Sequence, residues 1–135
     1  MRIARTWLLS AAAAGALGCS SSTGPSGGGG GTGQGTGGGA VGTVTVGNIF
    51  FMSAHNGTRN PAVDTIPAGT MVTWTWTGTG STSHSVLSEG SPDFTSSAIL
   101  TGNGKTYSVT LTDPGTYRYE CAVHGAAMSG TIVVQ

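Results

Sequence analysis

The chain has 135 residues, of which 7% are charged, with 25 glycines, two cysteines and a formal net charge of zero. That length leaves room for one folded domain. Its few cations are scattered, which excludes the basic stripe that phosphate-backbone binding needs, so no nucleic-acid partner is expected. Arg2 and Arg5 precede an apolar run from Trp7 through Leu17, which reads as a secretory signal over residues 1–18, too short to span a bilayer permanently. Residues 19–39 are mostly Gly, Ser and Thr. Such a composition cannot bury enough apolar surface to fold, and it predicts a flexible tether with a reach of roughly 25 Å.

The folded domain is expected over 40–135. Its charged side chains are Arg59, Lys105 and Arg118 against Asp64, Glu89, Asp93, Asp113 and Glu120, a balance of −2. Thr43 to Val46 alternates with Val44 and Val46 on one face, a first strand that continues toward Ile49 to Phe51 after a break at Gly47-Asn48. His55 to Pro61 is rich in turn formers and reads as a solvated loop carrying His55. Val63 to Ile66 is a short strand. Met71 to Thr77 has the cleanest alternation in the chain, with Val72, Trp74 and Trp76 on the buried face and threonines on the other.

Gly78 to Thr82 is a turn, and Ser83 to Leu87 resumes an extended pattern. Glu89 to Gly104 is a long irregular excursion with at most one short strand. Tyr107 to Leu111 is a strand ending in the Asp113-Pro114-Gly115 turn. Tyr117, Tyr119 and Cys121 share one face of the next strand, and a final strand runs from Gly130. No segment keeps a helical period, and turn signals recur roughly every eight to twelve residues, so the fold class is all-β, a sandwich or barrel.

The chemistry gathers between Tyr117 and Gly130. Cys121, His124 and Met128 place a thiol, an imidazole and a thioether in one short stretch, at one end of such a sandwich. A soft thiolate, an imidazole and a weak thioether suit copper if a second imidazole joins them, and His84, at a turn-strand junction, is the candidate. Export implies an oxidising compartment, where an unpaired Cys121 would be a liability unless a metal occupies it. Zinc could use the same thiolate and imidazoles with an open fourth position, but the thioether argues against it. Trp74 and Trp76 are core residues on burial alone.

These residues resemble the plastocyanin-like branch of the cupredoxins, the small blue copper proteins. The likeness rests on His84-Ser85-Val86, then Cys121, two residues, His124, a short gap, Met128, and Ser129-Gly130-Thr131-Ile132-Val133-Val134. Ala68 to Trp74 and Asp113 to Tyr119 support it. The resemblance implies an antiparallel Greek-key β-sandwich holding one type 1 copper ion, with Cys121, His84 and His124 in a trigonal plane and Met128 as a long axial contact. Ser85 would tie its loop to that of Cys121.

It further implies a monomer that carries single electrons between protein redox partners, docking at the edge of His124 near Gly125, Ala126 and Ala127. A copper-delivery protein, with the metal as cargo, is the competing reading. An enzyme is not expected, because related copper oxidases and nitrite reductases need further histidines and only His55 remains. Gly15-Ala16-Leu17-Gly18-Cys19, followed by serines, resembles a bacterial lipoprotein signal. That resemblance implies a lipid on Cys19 and a periplasmic or cell-surface location, anchored to the membrane only through the lipid.

Overall fold

The computed structural model describes residues 39–135; the expected signal, Cys19 and all of the tether except Gly39 lie outside the described residues. Within them the strands are β1 (Thr43–Gly47), β2 (Phe50–Ser53), β3 (Ala62–Ile66), β4 (Thr70–Trp76), β5 (Ser83–His84), β6 (Leu87–Glu89), β7 (Leu100–Thr101), β8 (Thr106–Leu111), β9 (Gly115–Cys121) and β10 (Gly125–Val134), and there is no helix among them. One sheet has the order β2-β1-β4-β8, the other β3-β10-β9-β6, and β5 pairs with β7 as a small third ribbon.

Alternation decides which faces meet. Val44 and Val46 of β1 and Val72, Trp74 and Trp76 of β4 are all buried, and across the gap lie Tyr117, Tyr119 and Cys121 of β9 with Met128, Ile132 and Val134 of β10. Aromatic rings bridge the two sheets. Tyr119 meets Phe51 edge-on with centroids 5.0 Å apart and Trp74 at 5.3 Å, geometries that add to plain burial. Burial raises the Tyr119 phenol far above its ordinary range, so it is a neutral core residue. Tyr119 also faces Gly130 across the β9–β10 pair, where a Cβ on Gly130 would overlap the Tyr119 ring. Only glycine fits there.

The all-β sandwich matches expectation, and its sheets are mixed: β1 pairs parallel with β4, and β3 parallel with β10. The long 54–61 connection carries the chain from one sheet to the other, which frees β3 from the antiparallel direction a tight hairpin would impose. Two boundaries differ from the sequence reading. The stretch from Ser83 to Leu87 is broken at Ser85-Val86, because His84 pairs with Leu100 while Leu87 pairs with Glu120 of β9. The last strand begins at Gly125 rather than Gly130, with a register shift between Gly125 and Ser129 that places Met128 on a bulge instead of in a free loop.

β3 holds an acidic side chain on its buried face. Asp64, 1% exposed, accepts the Gly42 amide at 2.8 Å and the Thr65 amide at 3.0 Å. His55 Nδ1 lies 3.3 Å from its carboxylate.

Candidate metal centre

β9 delivers Cys121 to the end of the sandwich, and the chain turns back at once. The His124 amide donates to the Cys121 carbonyl at 3.0 Å, and Gly125 takes a φ of 59°, so that Gly125 pairs with Cys121 again. A left-handed residue at that place favours glycine. The turn leaves His124 partly exposed, and the bulge that follows buries Met128 in the same apolar cluster as Cys121. His84 approaches from the other side on β5 and is fully buried.

Ser85 joins the two approaches. Its hydroxyl accepts the Ala122 amide at 3.0 Å, and its own amide points at the Cys121 sulfur at 3.5 Å. The next amide, Val86, donates to Ser97 Oγ at 2.8 Å, and the Ser97 amide returns to the Val86 carbonyl at 2.9 Å. The segment that carries His84 is thus pinned to β9 on one side and to the irregular 90–99 excursion on the other.

His124 Nδ1 is 3.3 Å and His84 Nδ1 3.9 Å from Cys121 Sγ. The imidazole rings lie 4.9 Å apart, centroid to centroid. One ligand atom from each of the three residues falls within 4.8 Å of the others. An ion bonded at about 2.0–2.3 Å to sulfur and nitrogen sets those atoms roughly 3.5–3.9 Å apart, so the donors stand where a shared metal needs them. Burial, and then the neighbouring His124, pull the His84 pKa below its ordinary 6.5, which keeps that imidazole neutral and able to act as a ligand.

Of the residues singled out in the sequence, the structure brings His84, Cys121 and His124 together, with Met128 buried beside them. His55 lies apart. Its side chain is 46% exposed and faces Asp64, not a solvated loop alone. The sequence reading missed Asp64 and Ser97. Alternation could have exposed Asp64, since it shares a face with Ala62 and Ile66, whereas nothing local to Ser97 tells which loop it holds.

A β-sandwich that presents a cysteine, two histidines and a methionine at one end is a cupredoxin-type copper-binding domain. The family model described as copper binding proteins, plastocyanin/azurin family, matches residues 59–135. The chain belongs to that family. Halocyanin from Natronomonas pharaonis is 38% identical over 78 residues, which are 56% of this chain and 47% of that protein. The chain thus spans about half the length of that curated relative. A purple cupredoxin from Nitrosopumilus maritimus shares the fold at 24% identity with a TM-score of 0.53, over 69% of this chain and 98% of that one. A copper-containing nitrite reductase from Thermus scotoductus is similar at 28% identity and a TM-score of 0.51, over 69% of this chain but only 22% of the enzyme.

Proposed function

We propose that this chain is a type 1 copper protein that carries single electrons between protein partners, in which Cys121, His84 and His124 would hold the ion strongly and Met128 would be a weak fourth ligand. The observation that carries the reading is the convergence of Cys121 Sγ with the two Nδ1 atoms, 3.3 and 3.9 Å away. A bound copper ion would supply a one-electron couple. The chain's own residues supply the rest. The Ser85 amide points at the sulfur and holds it in place, the Ser85 hydroxyl fixes the spacing of the two ligand loops, and the buried Met128 and Val86 keep water out. Ligands held this firmly need little rearrangement on a change of charge, which favours fast transfer. His124, partly exposed between Val123 and Gly125, is the edge through which an electron would leave.

The nitrite reductase likeness covers a small part of that enzyme, and His84, Cys121 and His124 form the metal-capable group found among the described residues. That supports a carrier over a catalyst. The domain of residues 40–135 acts as a monomer joined through the Gly- and Ser-rich linker of residues 19–39, exported behind the 1–18 signal and held to a membrane by a lipid on Cys19. The alternative of copper as cargo is separated by exchange. An electron carrier cycles reversibly in voltammetry and keeps its copper against a moderate chelator, whereas a delivery protein surrenders it. Loss of the metal to the chelator without a reversible wave would overturn the reading. Mass spectrometry of the protein purified from membranes tests the lipid on Cys19.

A further inference from the structure

The stretch from Met52 to Val63 has no part in the metal centre, yet it is tightly built. It holds the tip of the β1–β2 hairpin, where Ile49 has a φ of 58° and a side chain 47% exposed. A β-branched residue in the left-handed region is an outlier that the surroundings must impose. They do so through Asn60, itself left-handed at a φ of 38°. Its Oδ1 accepts the Phe51 amide at 3.1 Å, its Nδ2 donates to the Ile49 carbonyl at 2.9 Å, and its amide donates to the Phe51 carbonyl at 3.3 Å. The neighbouring Arg59 guanidinium sits 3.7 Å over the Phe50 ring. Two left-handed residues are thus bonded to each other, and the product is an isoleucine held out in solvent.

The tip lies at the metal end of the sandwich. β1 runs parallel to β4 with Val46 opposite Trp76, β4 leads into the turn before His84, and Phe51 packs on Tyr119, so the hairpin tip that follows Gly47 lies toward the Cys121 end. Val123 is 48% and Ile99 60% exposed on loops at that end. Residues 47–49, 77–85, 98–104 and 121–129 contain no carboxylate. Cations flank them: Arg59 by its stacking on Phe50, and Lys105, whose carbonyl accepts the Trp76 amide at 2.9 Å. Glu120 lies on the outer face of β9, where it lines a groove at the edge of that end with Arg118, Pro61 and Ala126.

We propose that Ile49, presented by Asn60 and flanked by Arg59, is a docking and specificity residue for a redox partner whose apolar contact face is rimmed by carboxylates. Charge complementarity selects that partner. An apolar end whose loops hold no carboxylate and whose border carries Arg59 and Lys105 favours an anionic rim over a lysine-rich one. The inference rests on the electron-carrier reading above. It involves Ile49, which lies outside the family match of residues 59–135.

The test uses the copper-loaded full chain in stopped flow. One electron passes from a ferrous haem protein, which becomes ferric, to Cu(II), which becomes Cu(I). The probes are an acidic b-type haem protein with carboxylates around its haem edge, a lysine-rimmed c-type cytochrome, and ascorbate as a small reductant. Ile49→Gly is expected to slow the acidic partner about fivefold or more, the loss of one useful contact residue. It should leave the ascorbate rate and the visible spectrum unchanged. It should also raise the thermal midpoint, because glycine relieves the left-handed strain. Ile49→Asn keeps a turn-compatible residue and should show the same kinetic loss. Arg59→Gln should slow the acidic partner and flatten its salt dependence, with no slowing of the basic one.

Wild-type rates in the Ile49 variants would overturn the proposal. So would a rate that rises with salt for the acidic partner. Concentration-dependent self-association, or binding to phosphatidylcholine vesicles, that disappears in Ile49→Gly would give the knob to a second copy or to a lipid surface, and would overturn it too. A chain that ascorbate cannot reduce at all would instead remove the electron-carrier reading and this inference with it.

Discussion

Replacing Ser85 by alanine isolates the link between the segments that carry His84 and Cys121. Ser85 is 2% exposed, and its hydroxyl receives the Ala122 amide at 3.0 Å. An amide left without its acceptor costs about 1–3 kcal/mol. Ala122 itself is exposed, so water can reach part of the site and the cost falls to about 1 kcal/mol at the lower end of that range. The amide of residue 85 survives the change, so its contact with sulfur remains and a copper-loaded protein should keep its colour. Urea unfolding of the metal-free chain measures the loss. With a slope near 1 kcal/mol per molar urea for a small domain, the midpoint should drop by about 1 M. Ser108→Ala is the control, since Ser108 Oγ shares a 2.9 Å bond with Thr73 Oγ1 at the surface, where changes stay within about 0.5 kcal/mol. A Ser85→Ala midpoint no lower than that of the control would refute the link, as would complete loss of the copper spectrum.

Other consequences are equally direct. Gly130→Ala drives a methyl group into the Tyr119 ring and should cost about 1–3 kcal/mol of stability by the same urea assay, as overpacked cores do. Asp64→Ala strands the Gly42 amide, bonded at 2.8 Å in a buried setting, and should lose about 2–3 kcal/mol, with Asp64→Asn losing less. His84 should make the metal-free protein acid-sensitive. Its folded pKa lies below the 6.5 of the unfolded chain, so below that pH the unfolded state binds more protons. Stability from this group is complete above pH 6.5 and falls as the pH drops through the lowered folded value. Urea midpoints taken against pH should show that slope in the native chain and lose it in His84→Asn; a slope of the opposite sign would contradict the account.

The sandwich was legible because its strands alternate cleanly. Val72, Trp74 and Trp76 announce their buried face in the sequence, as do Tyr117, Tyr119 and Cys121, and the structure buries all six. The sequence also suggested the donors, since Cys121, His124 and Met128 share one short stretch and His84 sits at a turn. What it could not show was contact between distant segments. The break after His84 depends on Leu100 and Ser97, brought in by an excursion that has no periodicity of its own. The parallel pairing of β3 with β10 likewise follows from a loop whose path no local pattern encodes. Ile49 read as one more apolar residue in a strand continuation. Its left-handed turn is imposed by Asn60, eleven positions away.

The central claim is that Cys121, with His84 and His124, makes a type 1 copper site. The most direct measurement is the absorption spectrum of the full chain titrated with Cu(II), followed by voltammetry on the same sample. The account predicts an intense blue thiolate-to-copper band that saturates at one copper per chain, a reversible one-electron wave, and loss of the band in Cys121→Ser. A Cys121→Ser protein as blue as the parent, or a parent that binds copper without the band, would contradict it.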